Sequence, residues 1–339
     1  MNLSFATRER QICEERNTFV RYPEIGMMQK PIQVLAIGIG LNLLWSIHPV
    51  LGKILLAEWD PWHVAWLRYT SAWVVWVFLL GLMRGRRVFQ LIKEVILLKD
   101  GAVPLWIGLV TFCLTPLMQS YGLKFSGAFE NAVLVALEPM SAVLLAVFLL
   151  KENLNPRQRF AFLAAVFGVF FLSDGVRILS GEVKFEASYW RVLGNALLVI
   201  SLLGEGLYSA AGRLMNQRTS RDASWIFTAA LTWGVIFLTV LVLPVFGLPH
   251  FDSLRLTSGL SLFWIGPIGT SFCYWLWLRL LQGVQVSFLS ITLFIQPLAG
   301  AAFGWLLLEE SLHFWKILGG VVILLAMMLS AMNVPSPEE

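Results

Sequence analysis

The sequence predicts an all-α integral membrane protein, with ten transmembrane helices arranged as two inverted five-helix repeats. Three observations predict it. Of the 339 residues, 58% are hydrophobic and only 14% charged, with a mean hydropathy of +0.73. A soluble domain of this size carries about 25% charged residues. The apolar residues also gather into ten runs, each near the ~20 residues that cross a ~30 Å hydrocarbon layer. Finally, one figure occurs twice: Pro139 stands thirteen residues before Glu152, and Pro297 stands thirteen before Glu310.

The first five spans read as 32–57, 62–83, 102–123, 127–150 and 160–176, and the second five as 189–215, 224–246, 258–281, 285–308 and 314–332. This divides the chain into a tail at 1–31, a first repeat at 32–176, a loop at 177–188, a second repeat at 189–332 and a tail at 333–339. Residues 1–26 read equally as a disordered tail or as an over-extended start, since Met27 and Met28 stand just before the first span. Most connections are short, so sequence neighbours should pack as antiparallel pairs. The runs are continuous and about twice the length of a barrel strand, which excludes a transmembrane β-barrel.

A second echo supports the duplication. Residues 44–55 read LWSIHPVLGKIL and residues 204–215 read GEGLYSAAGRLM, each running from a polar or aromatic cluster to a glycine and a cation. Five is odd, so two halves of one fold must enter the membrane in opposite senses. Inverted repeats place a binding site near the midplane, between the halves. Lys and Arg collect on one side. With the N-terminus inside, the cytoplasmic segments hold 17 of them and the external segments six. Both termini are therefore expected in the cytoplasm.

Several functions are disfavoured. The pI near 9.0 could suggest nucleic acid, but the cations sit in loops, where topology explains them. Cys13, Cys113 and Cys273 form no CxxC motif, and His48, His63, His250 and His313 are too scattered for an HExxH site, so no metal or bound cofactor is expected. No GxxxxGK[ST] loop is present to couple the chain to ATP. The runner-up reading, a membrane-embedded enzyme acting on lipid or isoprenoid substrates, lacks DDxxD, HxxxxD and GxSxG motifs.

The chain resembles the drug/metabolite transporter superfamily, specifically EamA-type permeases with two tandem domains. The resemblance runs from Ile32 to Met332. It is carried by the segment Trp45 to Lys53, by Asp60-Pro61 and Trp66-Leu67-Arg68-Tyr69, by YGLKFSGAFENAVLVALEP and LLKENLNPRQR, and by the second-half echo from IQPLAG to LLLEES. It implies a ten-helix basket around a central cavity, alternating access and movement of small organic solutes, commonly export of amino acids, metabolites or toxic compounds. A bacterial inner membrane is the implied home. His48-Pro49 departs from the small polar residues usual there. The second half also has Ala229-Ala230 where the first has Arg68.

An ionised group at the bilayer centre costs roughly 2.5–3.5 kcal/mol on insertion scales, so one that persists usually faces protein or water. Glu138, about eleven residues into its span, should lie ~17 Å deep by helix rise. It reads either as a substrate-binding or proton-carrying carboxylate or as a structural group beside the Pro139 kink. Gln296 holds the equivalent place before Pro297. Glu205 lies ~22 Å into the sixth span, with Tyr208 and Ser209 about one turn on; Trp45, Ser46 and His48 are their counterparts. If the halves are inverted copies, the two clusters face each other across a cavity. Gln119, Asn131 and Tyr274 are expected polar lining. Arg68 is expected to pair with Glu130 or to attract an anionic group. Lys53 and Arg213, at helix ends, read as snorkelling cations. Gly300 and Gly304 form a small-residue packing step, and residues 265–269 break up the eighth span. The expected partners are a small-molecule substrate and the bilayer, with a proton or sodium gradient as the driving force. Nothing in the sequence fixes an oligomeric state.

Overall fold

The computed structural model describes residues 31–98, 101–141, 144–145, 156–219, 221–251, 255–281, 289 and 291–331, and among these there is no β-strand. The tails, Lys151-Glu152 and the Arg213 side chain lie outside the described residues. Five helices are each long and apolar enough to cross a bilayer: Gln33–Leu56, Pro61–Arg84, Val103–Phe125, Ser188–Gly212 and Ala223–Phe246. Two further apolar helices, Thr292–Leu308 and Phe314–Leu329, are shorter.

Prolines decide where the spans break. The first span is α1 (Pro31–Ser46) and α2 (His48–Leu56), joined at Ile47. Pro49 has no N–H to offer the carbonyl four residues back, so the helix cannot run through unbroken. The second span, α3 (Pro61–Arg84), starts on a proline that needs no donor there and stops at Gly85, whose φ is 59°. A short amphipathic helix, α4 (Arg87–Ile96), follows where the sequence reading had only a loop; it buries Val88, Leu91 and Val95.

The third span is α5 (Val103–Leu109), a π-helical turn at Val110–Leu114, and α6 (Thr115–Phe125). Pro116 follows that turn directly. The fourth begins as α7 (Ala128–Leu134) and tightens to a 3-10 turn at Val135–Leu137, just before Glu138-Pro139. Then come α8 (Pro156–Leu172), the one-turn α9 (Gly175–Leu179) and the 35-residue α10 (Phe185–Thr219). The seventh span, α11 (Ala223–Phe246), is capped by Asp222, whose side chain accepts the Trp225 N–H.

The second half repeats the irregularities of the first. The eighth span is α12 (Leu256–Phe263), a nine-residue π segment at Trp264–Phe272 containing Pro267, and α13 (Cys273–Leu281). The ninth has a 3-10 turn at Ile291–Phe294 ahead of α14 (Ile295–Leu308), and the tenth is α15 (Phe314–Ala331). Spans three and eight thus share a π distortion, and spans four and nine share a 3-10 turn before proline.

The packing has the same symmetry. Spans five and ten pack together, as do four and nine, and two and seven. Span three packs on six and seven, while span eight packs on one and two. Exchanging each span with its counterpart five later returns the same pairs, as a two-fold relation between inverted repeats requires. The Gly300–Gly304 step lets the ninth span close on its neighbours. A Cβ on Gly300 would meet the Ser46 carbonyl and Ala132 Cβ at 2.8 Å, and one on Gly304 would meet the Phe129 backbone nitrogen at 2.9 Å.

Polar contacts sort into two ends. At one end Arg84 pairs with Asp222 and Arg221 with Glu94. At the other, Lys124 pairs with Asp60, Arg255 with Glu58, and the Glu310 carboxylate accepts the Ala128 and Phe129 N–H groups at 2.6 and 3.0 Å. Lys53 does not snorkel outward. Its ammonium is half-buried and donates to the Ser126 carbonyl, tying the first span to the turn between the third and fourth.

Candidate functional site

Spans from both halves enclose a cavity of about 120 Å³. At the ~10–15 Å³ each water requires, it holds on the order of ten waters or one small solute. Trp45 and His48 reach it from the broken first span, Arg68 from α3 and Gln119 from α6. Glu138 enters beyond the 3-10 turn, Glu205 and Tyr208 from α10, Tyr274 from α13 and Gln296 from α14. Nine of the ten candidate residues thus share one cavity. Asn131 and Ser209 line it as well.

Ser46 is the exception. It is 1% exposed, and its hydroxyl donates to the Leu43 carbonyl at 2.7 Å. Its backbone carbonyl lies against Gly300 of the ninth span, so it serves packing. Arg68 also departs from expectation. Its Nε donates to Thr270 Oγ1 at 3.0 Å and its guanidinium lies 5.1 Å over the Tyr69 ring. Glu130 finds its cation elsewhere.

The π segment of the eighth span makes this arrangement possible. Its widened turn lets the Thr270 hydroxyl reach the Ile265 carbonyl, five residues back, at 2.8 Å while it also receives Arg68. Gly266 sits where a Cβ would come within 2.3 Å of Ser71 Oγ, and Gly269 where one would come within 2.0 Å of His48 Nε2. Only hydrogen at those two positions lets spans one and two approach so closely. The freed Gly269 carbonyl accepts the Trp45 indole N–H at 2.7 Å.

Glu205 is held firmly. Its carboxylate accepts the Tyr274 hydroxyl at 2.9 and 3.0 Å and the Gln119 amide at 3.0 Å. The Tyr208 hydroxyl donates to the Tyr274 carbonyl at 3.2 Å, and Trp277 Nε1 donates to Ser209 at 3.1 Å. Trp45 packs on Tyr274 and Trp277 with ring centroids 5.4 and 5.8 Å apart, and Tyr208 lies 5.3 Å from Tyr274. Glu138 differs: among the described residues its carboxylate has no hydrogen-bond partner. Gln296 Oε1 and His48 Nε2 are buried and likewise unpartnered there. Sequence reasoning missed Trp277, although it stands three residues after Tyr274 and so shares its helix face.

A second polar cluster covers the Glu310 end. Glu130 is fully buried and forms an ion pair with the Lys316 ammonium at 2.8 Å, with Arg191 at 3.9 Å. Arg191 also binds Asp174, which lies 3.3 Å from Arg177 and 3.0 Å from the His313 imidazole. Burial, reinforced by Lys316, Arg177 and Arg191, holds the His313 pKa below its usual 6.5 despite the Asp174 carboxylate. The cluster joins spans four, six and ten and the loops at 173–184 and 309–313.

The EamA-like transporter family model matches this chain twice, over residues 33–174 and 192–332. An uncharacterized transporter of Archaeoglobus fulgidus is 24% identical over 85% of this chain and 93% of its own length. The uncharacterized transporter YoaV of Bacillus subtilis is 22% identical over 84% and 92%. Protein PecM of Dickeya dadantii is 24% identical over 58% of this chain and 63% of its own. One crystal structure, 18% identical in sequence, superposes with a TM-score of 0.56 over 89% of this chain and 99% of its own, a likeness of fold.

Proposed function

Because this chain belongs to the EamA-like transporter family, we propose that it is a secondary transporter that moves small organic solutes by alternating access around the central cavity. It is an integral membrane transport protein and not an enzyme, as its family and its named relatives are. One observation carries the finer reading: two deep carboxyl groups, Glu138 and Glu205, line one cavity built from both inverted halves. Amino acids, metabolites and drug-like compounds are the solute classes in view, with export as the direction. The charge count supports a reading with both termini in the cytoplasm, the Arg84 end inside and the Glu310 end outside, and the family resemblance supports the cytoplasmic membrane of a bacterium.

A proton gradient is the proposed drive, with Glu138 as the carrier. Glu205 already accepts from two donors, the Tyr274 hydroxyl shared between its oxygens and the Gln119 amide, which favour a fixed carboxylate, whereas Glu138 has none to lose when it gains a proton. The two share a cavity, so a charge on one works against a charge on the other. Purified protein in liposomes tests this. Glu138→Gln should move solute downhill but no longer respond to an imposed pH gradient. Full gradient response in both Glu138→Gln and Glu205→Gln rules proton coupling out, and response to sodium alone replaces it with sodium.

A further inference from the structure

The hydrogen-bond inventory of the cavity is lopsided. Several of its donors are committed: Trp45 to Gly269, Trp277 to Ser209, Tyr208 to the Tyr274 carbonyl, Arg68 Nε to Thr270, and Gln119 Nε2 and the Tyr274 hydroxyl to Glu205. Two of its acceptors are not. Gln296 Oε1 is buried without a donor among the described residues, and the Glu138 carboxylate, half-buried and lining the cavity, accepts no hydrogen bond from them. The two stand at equivalent places before Pro139 and Pro297, on the fourth and ninth spans, which pack on each other. A buried acceptor without a donor costs about 1–3 kcal/mol, more if charged, so this wall calls for a ligand rich in N–H groups.

We propose that the cavity selects a small primary ammonium compound, its N–H groups received by the Glu138 carboxylate and Gln296 Oε1 and its apolar body laid against Trp45, Tyr274 and Trp277. The proposal rests on reading the cavity as the transport site. Charge and size decide the head group, since a primary ammonium brings three donors and a positive charge on one compact atom, where a guanidinium spreads its charge over a wider planar fork. Position decides its orientation. Arg68, anchored to Thr270, repels a cation from the second-span wall and drives it towards Glu138. Volume limits the body. A dry cavity of about 150 Å³ admits benzene, so about 120 Å³ suits a branched aliphatic chain of four or five carbons.

The ammonium has two possible sources, a free amine or the α-amino group of an amino acid whose carboxylate would meet Arg68. Three related probes separate them: leucine, its decarboxylated counterpart isopentylammonium and its deaminated counterpart 4-methylpentanoate. Each is titrated calorimetrically into the purified full chain in lipid nanodiscs. Saturable binding of isopentylammonium supports the proposal with a free amine as ligand; binding of leucine alone supports it with an amino acid as ligand. In either case 4-methylpentanoate does not bind, and Glu138→Gln weakens the ammonium probe by about tenfold or more, the loss of one charged hydrogen bond. Gln296→Leu keeps the charge and should weaken it about fivefold, so the proposal stays testable if Glu138→Gln misfolds. No binding of either ammonium probe, binding of 4-methylpentanoate, or unchanged affinity in the folded Gln296→Leu and Glu138→Gln proteins overturns it. Liposome flux separates this from the transport reading. Binding without flux of any probe defeats transport and leaves the site standing, while flux of other solutes without ammonium binding defeats only the site.

Discussion

Lys316→Met should cost this protein about 3 kcal/mol of stability. Lys316 is 5% exposed, its ammonium lies 2.8 Å from Glu130 Oε1, and Glu130 is 0% exposed. At that distance and an effective dielectric near 20, the attraction is about 6 kcal/mol, much of it offset by desolvating both ions. The methionine fills the space but leaves Glu130 charged and buried, and stranding one member of such a pair costs about 3–5 kcal/mol. Arg191, 3.9 Å from the same oxygen, holds the loss near the lower bound. For a chain of this size that is a fall of about 6 °C in apparent melting temperature. Intrinsic fluorescence during heating in detergent reads it, with the half-life at one fixed temperature as a second measure because unfolding of such proteins is commonly irreversible. The double variant Glu130→Gln/Lys316→Met should regain most of the loss, because neither partner is then stranded. A single-variant loss below about 1 kcal/mol, the level of an exposed pair, would refute the reasoning. So would a double variant no better than the sum of the singles.

Packing and topology give two further predictions. Gly304→Ala puts a methyl group 2.9 Å from the Phe129 backbone nitrogen, where no side chain can yield, and should cost about 1–3 kcal/mol, whereas Gly40→Ala, with nothing within 4 Å, should be neutral or slightly stabilising; equal melting temperatures for the two would defeat the close-packing account. In a background lacking native cysteines, Glu309→Cys should react with an impermeant maleimide from outside intact cells and Arg87→Cys only after permeabilisation. Labelling of both from one side would defeat the inverted arrangement.

What could be read from the sequence divides by range. The Pro139 and Pro297 steps and the break at 265–269 could be read from the sequence, because a missing N–H disturbs the helix within one turn. The spans, the inverted repeat and nine residues of the cavity follow from hydropathy, depth and the count of five. The charged cluster at the Glu310 end did not follow. Glu130, Asp174, Arg191, and His313 with Lys316 come from four separate stretches, and in sequence each looks like a charge at a span end. Arg68 shows the same limit. Depth alone suggested Glu130 as its partner, but Lys316 and Arg191 occupy Glu130, and the π segment of the eighth span turns Thr270 to Arg68 instead. Nothing short of the packed bundle could choose between those cations.

The symmetry of the bundle and the asymmetry of its charges are connected. The paired π segments, the paired 3-10 turns before Pro139 and Pro297, and the exchange-symmetric packing belong to both halves. Each is a place where backbone carbonyls have lost their regular partners, so a helix can bend there at less cost than in an unbroken run. The charged groups are not paired. Glu138 answers to Gln296, Arg68 to Ala229-Ala230, and the broken first span with His48 answers to an unbroken α10 carrying Glu205. A cavity symmetric in both respects would present the same face to a solute from either side. With its charges confined to one member of each pair, this one presents distinct anionic and cationic walls. In the alternating-access cycle proposed above, a solute held at Glu138 would keep one orientation relative to Arg68, with the symmetric bends supplying the movement.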